Sequence, residues 1–79
     1  MELKFTSELM NSEDFSDRFK AEYYQLEYRI IGLKKMLYNW EELTFTPKCS
    51  YDLLNGQLRA MELYMSYLEE RARVENIEI

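Results

Sequence analysis

The sequence predicts an all-α fold: an antiparallel two-helix hairpin, coiled-coil-like, that assembles as a homo-oligomer. Three observations predict it. Phe19, Leu26, Leu33 and Trp40 recur every seventh residue, and Tyr23, Ile30 and Leu37 fall between them. Apolar positions that step by four and three line one side of a helix packed lengthwise on another. Leu54, Leu58, Met61, Met65, Leu68 and Ala72 repeat those steps further on. Between the two stretches lies TFTPKCS, where Pro47 has no backbone N–H to donate and pushes Thr46 out of helical geometry.

The chain reads as a single domain, 1–79, in five parts. Residues 1–12 are a lead whose apolar members, Leu3, Phe5, Leu9 and Met10, follow neither helical nor strand period for long. It is either a tail tucked onto the main body or an arm that closes over a site or a neighbouring subunit. Helix 1 is expected over 13–43, roughly 45 Å at 1.5 Å per residue. Ser12 is a candidate N-cap and Ser16 a second one, with Glu13 and Asp14 at the positive end of the helix dipole. Gly32 inside this helix costs about 1 kcal/mol of propensity. It is a tolerated defect or a point of close approach for another backbone or a ligand. The short connection 44–50 makes the helices antiparallel neighbours. Ser50 is then the N-cap of helix 2, expected over 51–73, with Asp52 in its first turn and Gly56 as an interruption. Residues 74–79 read as a fraying tail, with Ile77 and Ile79 in reach of Phe15 or Phe19.

A chain of 79 residues buries a small core, and such a core supplies only a few kcal/mol. Cys49 is the one cysteine and histidine is absent. No internal disulfide can form, and a structural zinc site needs about four nitrogen or sulfur ligands. No metal and no cofactor are therefore expected, and oligomerisation is the remedy left. A lone thiol fits a reducing cytoplasm. The net charge of −5 and pI near 4.7 make a poor ligand for duplex nucleic acid, where affinity comes from neutralising phosphates, or for an anionic membrane. No apolar run approaches the roughly 20 residues of a spanning helix, and the start does not read as a signal peptide.

Both helices carry apolar residues off the seam. Tyr24, Tyr28, Ile31 and Tyr38 share one face of helix 1; Ala60, Leu63, Tyr64, Tyr67 and Val74 lie off the seam of helix 2. A lone hairpin would leave both stripes in water, which predicts self-association, a dimer being the commonest form. Tyrosine suits an interface, and it also stacks on nucleobases. Basic residues gather at Arg29, Lys34 and Lys35 on helix 1 and at Arg59, Arg71 and Arg73 on helix 2. They either form salt bridges to Glu22, Glu27, Glu62 and Glu69, including an i,i+4 pair of Glu69 with Arg73, or build a small electropositive pocket at a subunit junction. In the second case Arg29, Lys34, Lys35 and Arg59 contact phosphates while Tyr28 or Tyr64 stacks on bases. An enzyme is not expected: without histidine, the only marked nucleophile is Cys49 beside Lys48, and nothing assembles around it.

The pattern Arg18-Phe19, Glu22-Tyr23, Leu26, Arg29-Ile30, Leu33, Leu37, then Gln57-Leu58-Arg59-Ala60-Met61, Tyr64, Leu68, Glu70-Arg71 resembles a family of small bacteriophage helical-hairpin proteins. That family is similar to the hairpin domain of phage anti-CBASS and anti-Thoeris sponges, which assemble as oligomers and hold cyclic nucleotides away from host immune effectors. The resemblance implies a phage protein in the host cytoplasm that binds and sequesters a cyclic di- or trinucleotide. The alternative is an oligomeric protein–protein interaction module docking a host or phage protein.

Overall fold

The computed structural model describes residues 15–79. Helix α1 runs Phe15–Tyr38, a 3₁₀ turn follows at Trp40–Glu42, and helix α2 runs Tyr51–Glu75. No strand occurs among the described residues. Near the start of α1, Phe19 packs on Leu68 and Ala72 near the end of α2, with Tyr23, Leu26 and Ile77 around them. Near the end of α1, Ile30 and Leu37 pack on Leu58 near the start of α2, ringed by Leu33, Trp40, Leu54, Met61 and Met65. Pairing start with end makes the hairpin antiparallel. Every residue of the two predicted seams lies in one of these clusters.

Helix α1 ends five residues short of the expected Leu43. Asn39 causes the stop. Its backbone N–H and its side-chain Nδ2 both donate to the carbonyl oxygen of Lys35, at 3.1 and 3.0 Å. A short amide side chain that bonds its own backbone competes with helix continuation. The chain then tightens, with Glu42 N–H donating to Asn39 O at 2.9 Å. This turn keeps Trp40 on the seam, edge-on to Tyr51 with ring centroids 5.5 Å apart. The lead 1–12, the cap at Ser12 and residues 13–14 lie outside the described residues, and Ser16 sits within α1.

Helix α2 begins as expected. Ser50 is extended, and its Oγ accepts from Leu53 N–H at 3.1 Å. The far end differs from expectation: α2 continues to Glu75, and the tail does not fray at once. Asn76 adopts the left-handed conformation (φ 57°, ψ 42°), and Ile77 N–H donates to Ala72 O at 2.9 Å. This closes the last turn and folds Ile77 back onto the Phe19 cluster, the apolar contact that accompanies such caps.

The ion pairs also shift. Arg73 forks onto Glu70, three residues back, instead of Glu69, because a guanidinium there meets both carboxylate oxygens at once. Lys34 bridges the helices to Glu62 at 3.4 Å. Arg71 lies 5.1 Å from the centre of the Phe19 ring and 3.4 Å from Glu75. A Cβ at Gly32 would meet nothing within 4 Å. Gly32→Ala is therefore expected to stabilise the hairpin by about 0.5–1 kcal/mol, read as a rise in thermal midpoint. A fall would mean that something abuts this glycine in solution.

Candidate ligand-binding site

One turn of helix separates Lys34 from Tyr38, so both stand on the same side of α1. Where α1 stops and α2 begins, these residues meet the other strut of the hairpin. The result is an open hollow of about 470 Å³ lined by Lys34, Lys35, Tyr38, Asn39, Tyr51 and Asn55. Leu37 and Leu58, both buried core residues, make its apolar floor. Trp40 props the Tyr51 ring edge-on, and Tyr38 is 90% exposed. Asn39 Nδ2 is committed to Lys35 O, which leaves its side-chain oxygen to accept. Asn55 is half-buried, and its side chain makes no hydrogen bond among the described residues. None of the residues lining this hollow is acidic. In a chain of net charge −5, it gathers two lysines, of which Lys34 is bridged to Glu62 at 3.4 Å.

A second hollow lies beside it. Tyr23, Ile30, Ile31 and Met65 line it with Lys34 and three carboxylates, Glu27, Glu62 and Glu69. That balance repels anions. Its Tyr23 phenol is pushed above its ordinary value, first by burial and then by Glu69 and Glu27. The ionised phenolate is thus disfavoured in the folded state. The unfolded chain loses this proton first, so stability is expected to fall as pH rises from about 10 toward the raised folded value. Thermal midpoints measured above about pH 10 check it: Tyr23→Phe should lose less stability there than the wild type.

A third hollow takes Tyr28 and Arg29, with Gly32, Leu33, Met36, Gln57 and Met61. The six residues expected to form one pocket are therefore divided within the chain. Lys34 and Lys35 stand at the loop end, Tyr28 and Arg29 in the third hollow, and Arg59 and Tyr64 are exposed on α2 outside all three. Helical geometry accounts for the split: Arg29 and Lys34, like Arg59 and Tyr64, are five residues apart, about 140° around the axis. Asn39, Tyr51 and Asn55 were missed because no charge run or apolar period marks them. The weak helix propensity of Asn39 was the one available signal.

Among the described residues, no cluster of His, Cys, Asp or Glu could hold a metal ion. No helix there is long and apolar enough to cross a membrane. Cys49 is exposed as a free thiol. Comparison with curated proteins and with solved structures gives no match. The family model for Sequestin matches residues 13–74, a span that takes in all of α1, the connection and all of α2 but its last residue. With most of its length matched, the chain belongs to the Sequestin family.

Proposed function

We propose that this protein is a non-enzymatic phage sponge: it binds a cyclic di- or trinucleotide immune signal in the host cytoplasm and keeps it from its effector. The loop-end hollow carries the reading. Two ammonium groups suit phosphates, two phenol rings suit bases, and the apolar floor lacks carboxylates that would repel the ligand. The family's name, Sequestin, fits a role in sequestration. Capture is stoichiometric, and no bond is made or broken.

Self-assembly belongs to the same proposal. Tyr28, Ile31, Tyr38, Leu63, Tyr64, Tyr67 and Val74 are all exposed in the single hairpin. Burying one such side chain is worth roughly 1.5–3 kcal/mol. A second copy over Tyr38 would also wall the open side of the hollow and could supply the divided Arg29, Arg59, Tyr28 and Tyr64. Isothermal titration against a panel of cyclic di- and trinucleotides, with light scattering on the same samples, tests both parts. Saturable heat from an oligomer is expected. Absence of heat from every member rejects the nucleotide reading; a monomeric mass rejects the shared pocket.

The other reading is a protein-interaction module. It draws on Leu63, Tyr67 and Val74, whose steps of four and seven place them together on α2, exposed and remote from the loop-end hollow. Recovery of one stoichiometric protein partner, together with no nucleotide heat, would favour it.

A further inference from the structure

We infer that the outer face of α2 pairs with the same face of a second copy, the two α2 helices running antiparallel. The inference rests on the self-association reading, not on the nucleotide, and states where and how the copies meet. From Leu53 to Val74, α2 carries a second heptad seam. Leu53, Ala60, Tyr67 and Val74 hold one position of it; Gly56, Leu63 and Glu70 hold the other. All of them are exposed, and none belongs to either core cluster. At about 100° per residue they stand on the far side of α2 from Leu58, Leu68 and Ala72, which pack against α1. Positions that step by three and four are the seam of a coiled coil, and this one is open in the single hairpin.

Large and small residues on this seam are complementary only in reverse order. With the two-fold axis between Ala60 and Leu63, Tyr67 faces the partner's Gly56, and Leu63 faces the partner's Ala60. A Cβ on Gly56 would meet nothing within 4 Å, so the hairpin gives no reason for glycine there. In the pair it is the socket for a tyrosine ring. The flanking charges select the same register. It sets Asp52 beside the partner's Arg73, and Arg59 beside the partner's Ser66. Arg73 holds Glu70 through Nε and Nη2, which leaves Nη1 to donate to the partner's Asp52. A slip of one heptad either way brings Arg59 against the partner's Arg73 or the partner's Arg59. A parallel pair sets Glu70 against the partner's Glu70 and leaves Gly56 facing the partner's Gly56, with no ring to fill the gap. The antiparallel contact does not cover Tyr38, so a contact over Tyr38 is a separate one.

The test combines sedimentation equilibrium with cross-linking on the full chain. The wild type should sediment as a dimer or a multiple of one. Tyr67→Asp should associate at least about 100-fold more weakly, because a two-fold axis counts each lost contact twice. Circular dichroism at the same concentrations checks that this variant is helical. A short bis-maleimide in a Cys49→Ser background reads the direction and leaves the seam intact. Asp52→Cys together with Arg73→Cys should give a covalent dimer. Asp52→Cys alone should not, since the two copies of residue 52 stand roughly 30 Å apart along antiparallel helices. A covalent dimer from Asp52→Cys alone means a parallel pair and overturns the inference. So does an assembly that the double variant fails to link, or one that survives Tyr67→Asp and is lost in Tyr38→Asp; self-association then stands through another face. A wild type that sediments as one hairpin overturns both readings and leaves the outer face of α2 to a different protein.

Discussion

Leu68→Ala is expected to cost about 3 kcal/mol and to leave the hairpin largely unfolded at room temperature. Leu68 is 1% exposed, the largest fully buried side chain among the described residues. It sits between Phe19 and Ala72, where the start of α1 is held against the end of α2. Loss of its branched end removes the transfer energy of those carbons and leaves a void that two rigid helices cannot close. A core of this size supplies only a few kcal/mol in all, so one substitution takes most of it. Urea denaturation at fixed protein concentration, followed by circular dichroism, reads the effect. Leu63→Ala is the control. Leu63 lies in the same helix but is 60% exposed, so within the hairpin its loss should change little. A large cost at Leu63 instead would locate a subunit interface there. Wild-type behaviour in Leu68→Ala would mean that the Phe19 cluster does not hold the helices together.

Reversing both lysines of the loop-end hollow, Lys34→Glu with Lys35→Glu, is expected to weaken cyclic-dinucleotide binding on the order of 10²-fold or more. Each charge-assisted contact to phosphate is worth about 1.5–3 kcal/mol, and the reversed charges add repulsion. The fold should tolerate the change. Both lysines are exposed, and the Lys34 bridge to Glu62 is a partly exposed pair of the kind worth about 0–1 kcal/mol. Titration at two salt concentrations separates this from a packing effect. Wild-type affinity should drop steeply with salt, and the residual affinity of the variant should drop far less. Arg59→Glu is the informative comparison, because Arg59 lies outside the hollow within one chain. An equal loss there would mean that a second copy brings Arg59 to the ligand.

The helices were legible because their information is local and periodic. Steps of four and three from Phe19 to Leu37 and from Leu54 to Ala72 need no knowledge of the partner to mark a buried side. The same holds for Pro47 as a breaker and Ser50 as a cap, since each acts within a few residues of itself. The helix ends were less legible. Asn39 and Asn76 are decided by how one amide or one left-handed residue settles its neighbouring carbonyls, which depends on whether Trp40 and Ile77 find apolar surface to fold onto. The pairing of Arg73 with Glu70 was likewise a choice among neighbours of similar reach.

The candidate site was legible only in kind. Lysines and arginines beside tyrosines suit a phosphate ligand carrying a base, and they equally suit salt bridges and a subunit interface; the nucleotide itself came from the resemblance. Which of them stand together does not follow from composition. Along a helix, a side chain's direction turns by about 100° per residue, so proximity in sequence is no guide to a shared surface. What the sequence determined by itself is two amphipathic helices, a turn between them, and more apolar surface than their seam can cover. The tertiary structure decided that Lys34 and Lys35 face Tyr51 and Asn55 across the loop end, while Tyr28, Arg29, Arg59 and Tyr64 stand elsewhere. The physical reason is that helical period is a property of each segment alone, whereas a hollow exists only once the crossing and stopping points of two segments are set by their packing.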